Sequence, residues 1–159
     1  MQLVYLYIFQ RSYKPFLYHH LRLFFLQDLH HLLNPHLKKF IQTTSLKIGI
    51  VTNAHQSYVV NILRHSDLLS YFKGNITSCT GSIPYKPFKD GYVIGSKKLG
   101  LKPSDVLVIE DSDVGIEAAL KAKVQMVLRH TNNDHNLPPQ IKHQVPKILN
   151  YKDFGKRFN

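Results

Sequence analysis

The sequence predicts an α/β fold: an open, doubly wound parallel sheet with helices on both faces. Two observations carry that prediction. Val106–Ile109 is a continuous apolar run, the pattern of a strand buried on both faces of a parallel sheet, and the largely apolar Leu46–Val51 and Val124–Leu128 read as further strands. Segments with apolar residues at helical spacing lie between the strands, so that each strand returns by a crossover. No internal repeat is present.

Taken in order, residues 3–9 (LVYLYIF) suit either a buried strand or the start of a helix, and periodicity leaves both open at this length. From Tyr13 to Leu33 the pattern is helical, with Phe16, Leu17, His20, Leu21, Phe24, Phe25, Leu29 and Leu33. The pairs His19-His20 and His30-His31 point in different directions on a helix and form no i, i+4 ligand set. Asn34-Pro35 is a helix start, with Asn as cap and Pro at the first position; that helix runs to about Ile41. Leu46–Val51 is the next strand and closes in Thr52-Asn53. A helix carrying Val59, Val60, Ile62 and Leu63 follows and fades near Tyr71. Ile76–Thr80 reads as a short strand and Gly81–Pro87 as a loop. Phe88, Tyr92, Gly95 and Leu99 form one helical face, and Gly100 is a good C-terminal stop. Pro103-Ser104-Asp105 turns the chain into Val106–Ile109. Ser112 and Asp113 then start a helix bearing Ile116, Ala119 and Leu120. Residues 131–140 read as loop, and the tail to Asn159 is weakly patterned.

At 159 residues and 43% hydrophobic content, the chain suits one ordinary domain with a real core. The single cysteine, Cys79, excludes an internal disulfide framework, fits a reducing compartment and reads as a buried structural thiol. Met1–Phe9 is apolar but falls short of the about 20 residues needed to cross a bilayer. It also lacks the basic region and cleavage site of a signal peptide. The expected location is the cytoplasm, with no membrane partner. The net charge is +11, from 21 basic and 10 acidic residues, with ten histidines besides. The excess is spread along the chain with no basic block, zinc-finger or RNA-binding signature. This argues against a specific nucleic-acid partner and suits a small anionic substrate.

Three strand ends or adjoining loops supply functional groups. Thr52 and Asn53 offer a hydroxyl and an amide. Lys86, in Tyr85-Lys86-Pro87, offers a positive charge on a loop stiffened by proline, and Glu110 with Asp111 offers hard oxygen ligands. In a parallel sheet all three reach the same carboxyl edge, where open α/β sheets bind ligands. A hydroxyl, an ammonium and a carboxylate pair suit a phosphate and a Mg²⁺ ion.

The order VTNA, then KP, then VIEDSDVGIEAALKA resembles the second, third and fourth motifs of the haloacid dehalogenase-like (HAD) hydrolases. It is most similar to their phosphoglycolate phosphatase and β-phosphoglucomutase branch. The likeness covers roughly Pro35 to Leu128, and its strength lies in the combination. It implies a Rossmann-like core over residues 34–159 and Mg²⁺-dependent phosphohydrolase or phosphoryl-transfer chemistry on a small phosphorylated metabolite. On that resemblance Thr52 bonds the transferring phosphoryl group with Asn53 assisting, Lys86 neutralises it, and Glu110 and Asp111 hold Mg²⁺ directly or through water. The family reaction passes through an aspartyl-phosphate, so that the remaining residues position and stabilise charge.

The family's first motif, DxDGT, which supplies the nucleophile and the general acid/base, is absent. Upstream of Thr52 the only acid is Asp28, inside the helical LFFLQDLHHLL run. Two arrangements follow. In the expected one, residues 1–33 are the closing part of a helical cap, the chain is truncated, and its sheet lacks the central strand. Such a chain is inactive alone, poorly stable, and prone to self-association through the exposed sheet edge. In the alternative, LVYLYIF is the first strand, Gln10 and Ser12 stand in place of the aspartates, and the chain is a noncatalytic phosphate-binding or interaction module.

Overall fold

In the computed structural model the residues described are 3–6, 35–72, 74–129, 141 and 144–147. Five strands among them form one sheet: β1 (Leu3–Leu6), β2 (Lys47–Thr52), β3 (Ile76–Ser78), β4 (Leu107–Glu110) and β5 (Met126–Arg129). Their order is β3-β2-β1-β4-β5, and every neighbouring pair is parallel. The helices are α1 (Pro35–Thr43), α2 (Gln56–His65), α3 (Leu69–Phe72), α4 (Asp90–Lys98) and α5 (Asp113–Lys121), with a 3₁₀ turn at Pro103–Asp105. This is the expected doubly wound α/β architecture.

The central strand corrects the expected arrangement. Val4 pairs with Ile48 on one side and Leu107 on the other, and Tyr5 pairs with Gly49 and Val108. LVYL therefore fills the middle of the sheet, and no gap remains between β2 and β4. The physical reason is backbone satisfaction: parallel strands flanking an empty position would each leave a row of buried donors and acceptors unpaired. The helical pattern of Tyr13–Leu33 suggested a cap, but it said nothing about the strand that precedes it. Residues 7–34, with that pattern, Gln10, Ser12 and Asp28, lie outside the described residues, as does the assignment of that part of 1–33 to a cap.

Alternation along the strands builds two cores, one on each face. Ile48, Ile50, Ile76, Leu107 and Ile109 pack with Leu37, Phe40 and Ile41 of α1, Val59 and Leu63 of α2, and Phe72 of α3. On the other face Val51, Val108 and Val127 pack with Tyr92 of α4 and with Ile116, Ala118 and Ala119 of α5. Residues one apart in β4 thus serve opposite layers, which is why its sequence is apolar throughout.

Local chemistry explains several boundaries. The helix expected to fade near Tyr71 breaks into α2 and α3 at Asp67, whose φ is 59°. Gly100, at φ 71°, turns the chain after α4 as its sequence position suggested. Phe88 leaves the helical face assigned to it: α4 starts at Asp90 and the Phe88 side chain is 62% exposed. Among the described residues no helix is long and apolar enough to cross a membrane.

Candidate active site

The carboxyl ends of β2 and β4, and the loop after β3, bring Thr52, Asn53, Lys86, Glu110 and Asp111 to one edge of the sheet. Thr52 is the last residue of β2 and is buried. Its Oγ1 accepts from the Ala54 N–H at 3.0 Å. A hydroxyl that accepts from a backbone N–H keeps its own proton to donate. Its carbonyl accepts from the Cys79 N–H at 2.6 Å, and the Ser78 hydroxyl donates to the Ala54 carbonyl at 2.6 Å, so β3 braces the turn. Asn53 turns its Oδ1 to the Lys86 backbone N–H at 2.9 Å. The end of β2 and the Lys86 loop are therefore tied together directly.

Lys86 enters the protein from its loop and is almost fully buried. Its ammonium forms an ion pair with Glu110 Oε1, donates to the Tyr92 hydroxyl at 3.1 Å and lies 5.0 Å from the centre of the Tyr92 ring. The Tyr92 hydroxyl in turn donates to Glu110 Oε1 at 2.6 Å. The second Glu110 oxygen, Oε2, accepts from the Asp111 N–H at 3.2 Å, the Ser112 N–H at 3.3 Å and the Ser112 hydroxyl at 3.0 Å. A buried charge persists only when paired and hydrogen-bonded, and Glu110 meets both conditions.

The two acids expected to share a metal therefore differ in role. Both oxygens of Glu110 are taken by protein donors, which makes it the counter-ion of Lys86. Asp111 is the opposite case: its Oδ1 is buried with no hydrogen-bond partner. Burial, followed by repulsion from Glu110, pushes its carboxyl up to about 7, against its own backbone N–H and Lys86, which lower it. A hard, buried oxygen without a donor fits Mg²⁺, which binds through one or two carboxylates and keeps several waters. Among the described residues no group of three or more His, Cys, Asp or Glu surrounds the point. Water or a bound phosphate would complete the shell.

α5 is placed by the same cluster. Ser112 caps it, accepting from the Gly115 N–H at 3.2 Å, and Gly115 lies so close to Glu110 that a Cβ there would overlap the carboxylate. Three participants escaped the sequence reading: Tyr92, taken only as part of a helical face, Ser112, taken only as a helix start, and Ser78. For Tyr92 one signal was present. A tyrosine buried beside an apolar face needs a partner for its hydroxyl, and it lies six residues from Lys86. Cys79 is buried as expected, and burial raises its thiol above the ordinary value.

Comparison with known proteins agrees with this geometry. Over 110 residues the chain is 30% identical to a haloacid dehalogenase-like hydrolase domain-containing protein of Arabidopsis thaliana, covering 67% of this chain and 34% of that protein. It is 29% identical over 98 residues to a phosphorylated carbohydrates phosphatase of Thermotoga maritima, covering 60% of this chain and 45% of that one. The chain thus spans less than half the length of these relatives. A haloacid dehalogenase-like protein of Agrobacterium tumefaciens shares the fold with a TM-score of 0.70 at 21% identity, over 92% of this chain and 69% of that one. The sequence profile of the haloacid dehalogenase-like hydrolases matches residues 15–128. On that match over most of its length, the chain belongs to the haloacid dehalogenase-like hydrolase family.

Proposed function

We propose that this chain binds a small phosphorylated compound together with Mg²⁺ at the carboxyl edge of its sheet, and does not turn it over through an aspartyl-phosphate. The observation that carries this reading is the place of β1. Leu3–Leu6 is the central strand, and the sequence after it contains no carboxylate before Asp28. The resemblance puts Gln10 and Ser12 where the family has its two aspartates. A glutamine hydrogen-bonds a phosphate but forms no acyl phosphate.

The remaining residues still suit anion binding. The Lys86 ammonium supplies positive charge, and Thr52 supplies a hydroxyl proton at the end of β2. Asn53 sets the height of the Lys86 loop. When bound at Asp111, Mg²⁺ would neutralise phosphate charge. A phosphorylated sugar is the ligand class that the Thermotoga maritima relative suggests.

A hydrolase reading has one observation in its favour. Lys86, Glu110, Tyr92 and Asp111 keep an arrangement suited to stabilising a transferring phosphoryl group. The test is turnover of an aryl phosphate with Mg²⁺ by the chain and by Asp111→Ala, alongside calorimetric titration with inorganic phosphate. The expected result is no turnover in either protein, with phosphate bound by the wild type and bound measurably more weakly by Lys86→Met. Turnover that disappears in Asp111→Ala would overturn the noncatalytic reading. A folded wild type that binds no phosphate would overturn the binding site itself.

A further inference from the structure

We infer that Tyr92 is a positioning residue whose hydroxyl aims the Lys86 ammonium at the ligand. The inference rests on the phosphate-binding reading for its consequence, but not for its geometry.

Three elements deliver three groups to one point: Lys86 from its loop, Tyr92 from α4 and Glu110 from the end of β4. All three are buried, with Tyr92 1% exposed and Glu110 0%. The tyrosine hydroxyl has one proton, and at 2.6 Å that proton goes to Glu110 Oε1. Its lone pairs therefore face the ammonium, which donates to it at 3.1 Å. The aromatic ring, 5.0 Å from the ammonium, adds a second attraction.

Tyr92 is itself held fast. Its carbonyl accepts from the Ser96 hydroxyl at 2.7 Å. The preceding residue, Gly91, lets α4 approach β2 and the β3 end so closely that a Cβ there would collide with Cys79 and with Val51. This close approach carries the tyrosine ring in beneath Lys86.

The hydroxyl does two things for the pair. It occupies part of Oε1, so Glu110 does not take the whole of the ammonium's attraction. It also gives the ammonium a second, fixed acceptor, so that its direction is set by two atoms on different elements. Without it, the ion pair with Glu110 Oε1 remains but the second fixed acceptor is gone, so that the ammonium can turn away from an incoming anion. A phenylalanine keeps the ring and its packing but not this control. Charge-assisted hydrogen bonds are the strong ones, so the change falls on aim and not only on stability.

The test is a double-mutant cycle on inorganic phosphate affinity with Tyr92→Phe, Lys86→Met and the double variant, each first shown folded by circular dichroism. The expected result is an about tenfold loss in Tyr92→Phe that vanishes in the Lys86→Met background, because the tyrosine acts through the lysine. Nitrogen-detected NMR of the Lys86 ammonium gives a readout independent of ligand. Its signal should shift, and exchange faster with water, in Tyr92→Phe. An unchanged ammonium signal with wild-type phosphate affinity overturns the inference, as does an affinity loss of equal size in both backgrounds. A shifted signal in a protein that binds no phosphate upholds the positioning by Tyr92 and removes the phosphate-binding reading.

Discussion

Asp111 is held in its charged form less readily than any ordinary surface carboxylate. Its neighbour Glu110 accepts from the Asp111 and Ser112 N–H groups and the Ser112 hydroxyl, while Asp111 Oδ1 is buried without a partner. Burial and the Glu110 charge raise its carboxyl from 3.8 to about 7. The folded chain therefore binds more protons than the unfolded chain between those two values, and stability falls as pH rises through that window. Below about pH 4 the group is protonated in both states and has no effect. Asp111→Asn should accordingly match the wild type at pH 4 and exceed it at pH 8 by about 1–2 kcal/mol, the cost of an unsatisfied buried group, as measured by urea unfolding. Mg²⁺ at pH 8 should raise the melting temperature of the wild type and leave that of Asp111→Asn unchanged. Adjacent acids at a strand end were legible in the sequence. Their division of labour was not, because it depends on which carboxylate meets Lys86 and Tyr92, residues brought in from elsewhere in the chain.

At the scale of elements, β4 and α5 are joined by a contact between a side chain and a backbone. The Glu110 carboxylate rests against Gly115, where any Cβ would overlap it. Gly115→Ala would normally favour a helix by about 1 kcal/mol. Here it should cost about 2 kcal/mol or more net, because the overlap must push α5 off the sheet or turn Glu110 away from Lys86. Urea unfolding gives the stability change, and the Lys86 ammonium signal should move with it. A neutral or stabilising Gly115→Ala would show that this contact does not set the position of α5. Most elements were readable because each has one dominant local signal: an apolar run for β2 and β4, Asn34-Pro35 for α1, Gly100 for the end of α4. The break between α2 and α3 was not, since Asp67 adopts φ 59° without the glycine that normally marks such a turn. Phe88 was misplaced for a related reason, helical spacing having extended the pattern two residues beyond the true start of α4.

At the scale of the molecule, the decisive feature is that β1 lies between β2 and β4. A central strand must donate and accept on both sides, so proline there removes a ladder hydrogen bond and is not tolerated. Tyr5→Pro should destabilise the chain by about 3 kcal/mol or more, visible as loss of cooperative thermal unfolding. A Tyr5→Pro variant that melts like the wild type would mean that Leu3–Leu6 is dispensable to the sheet, and with it the argument for a noncatalytic site.

The sequence by itself determined the class of fold and named the candidate residues that the structure brings to one sheet edge. Largely apolar strand-length runs separated by helical spacing leave little besides a parallel sheet covered on both faces. The order of VTNA, KP and EDS then puts the hydroxyl, ammonium and carboxylates at one edge of it. Those conclusions rest on short-range patterns that each segment carries within itself. Only the tertiary structure decided that LVYL is the central strand, that Glu110 serves Lys86 while Asp111 Oδ1 is left without a donor, and that Tyr92 completes the cluster. Each of these depends on partners far apart in the chain, and a donor or a strand is assigned its role only by what folding places beside it.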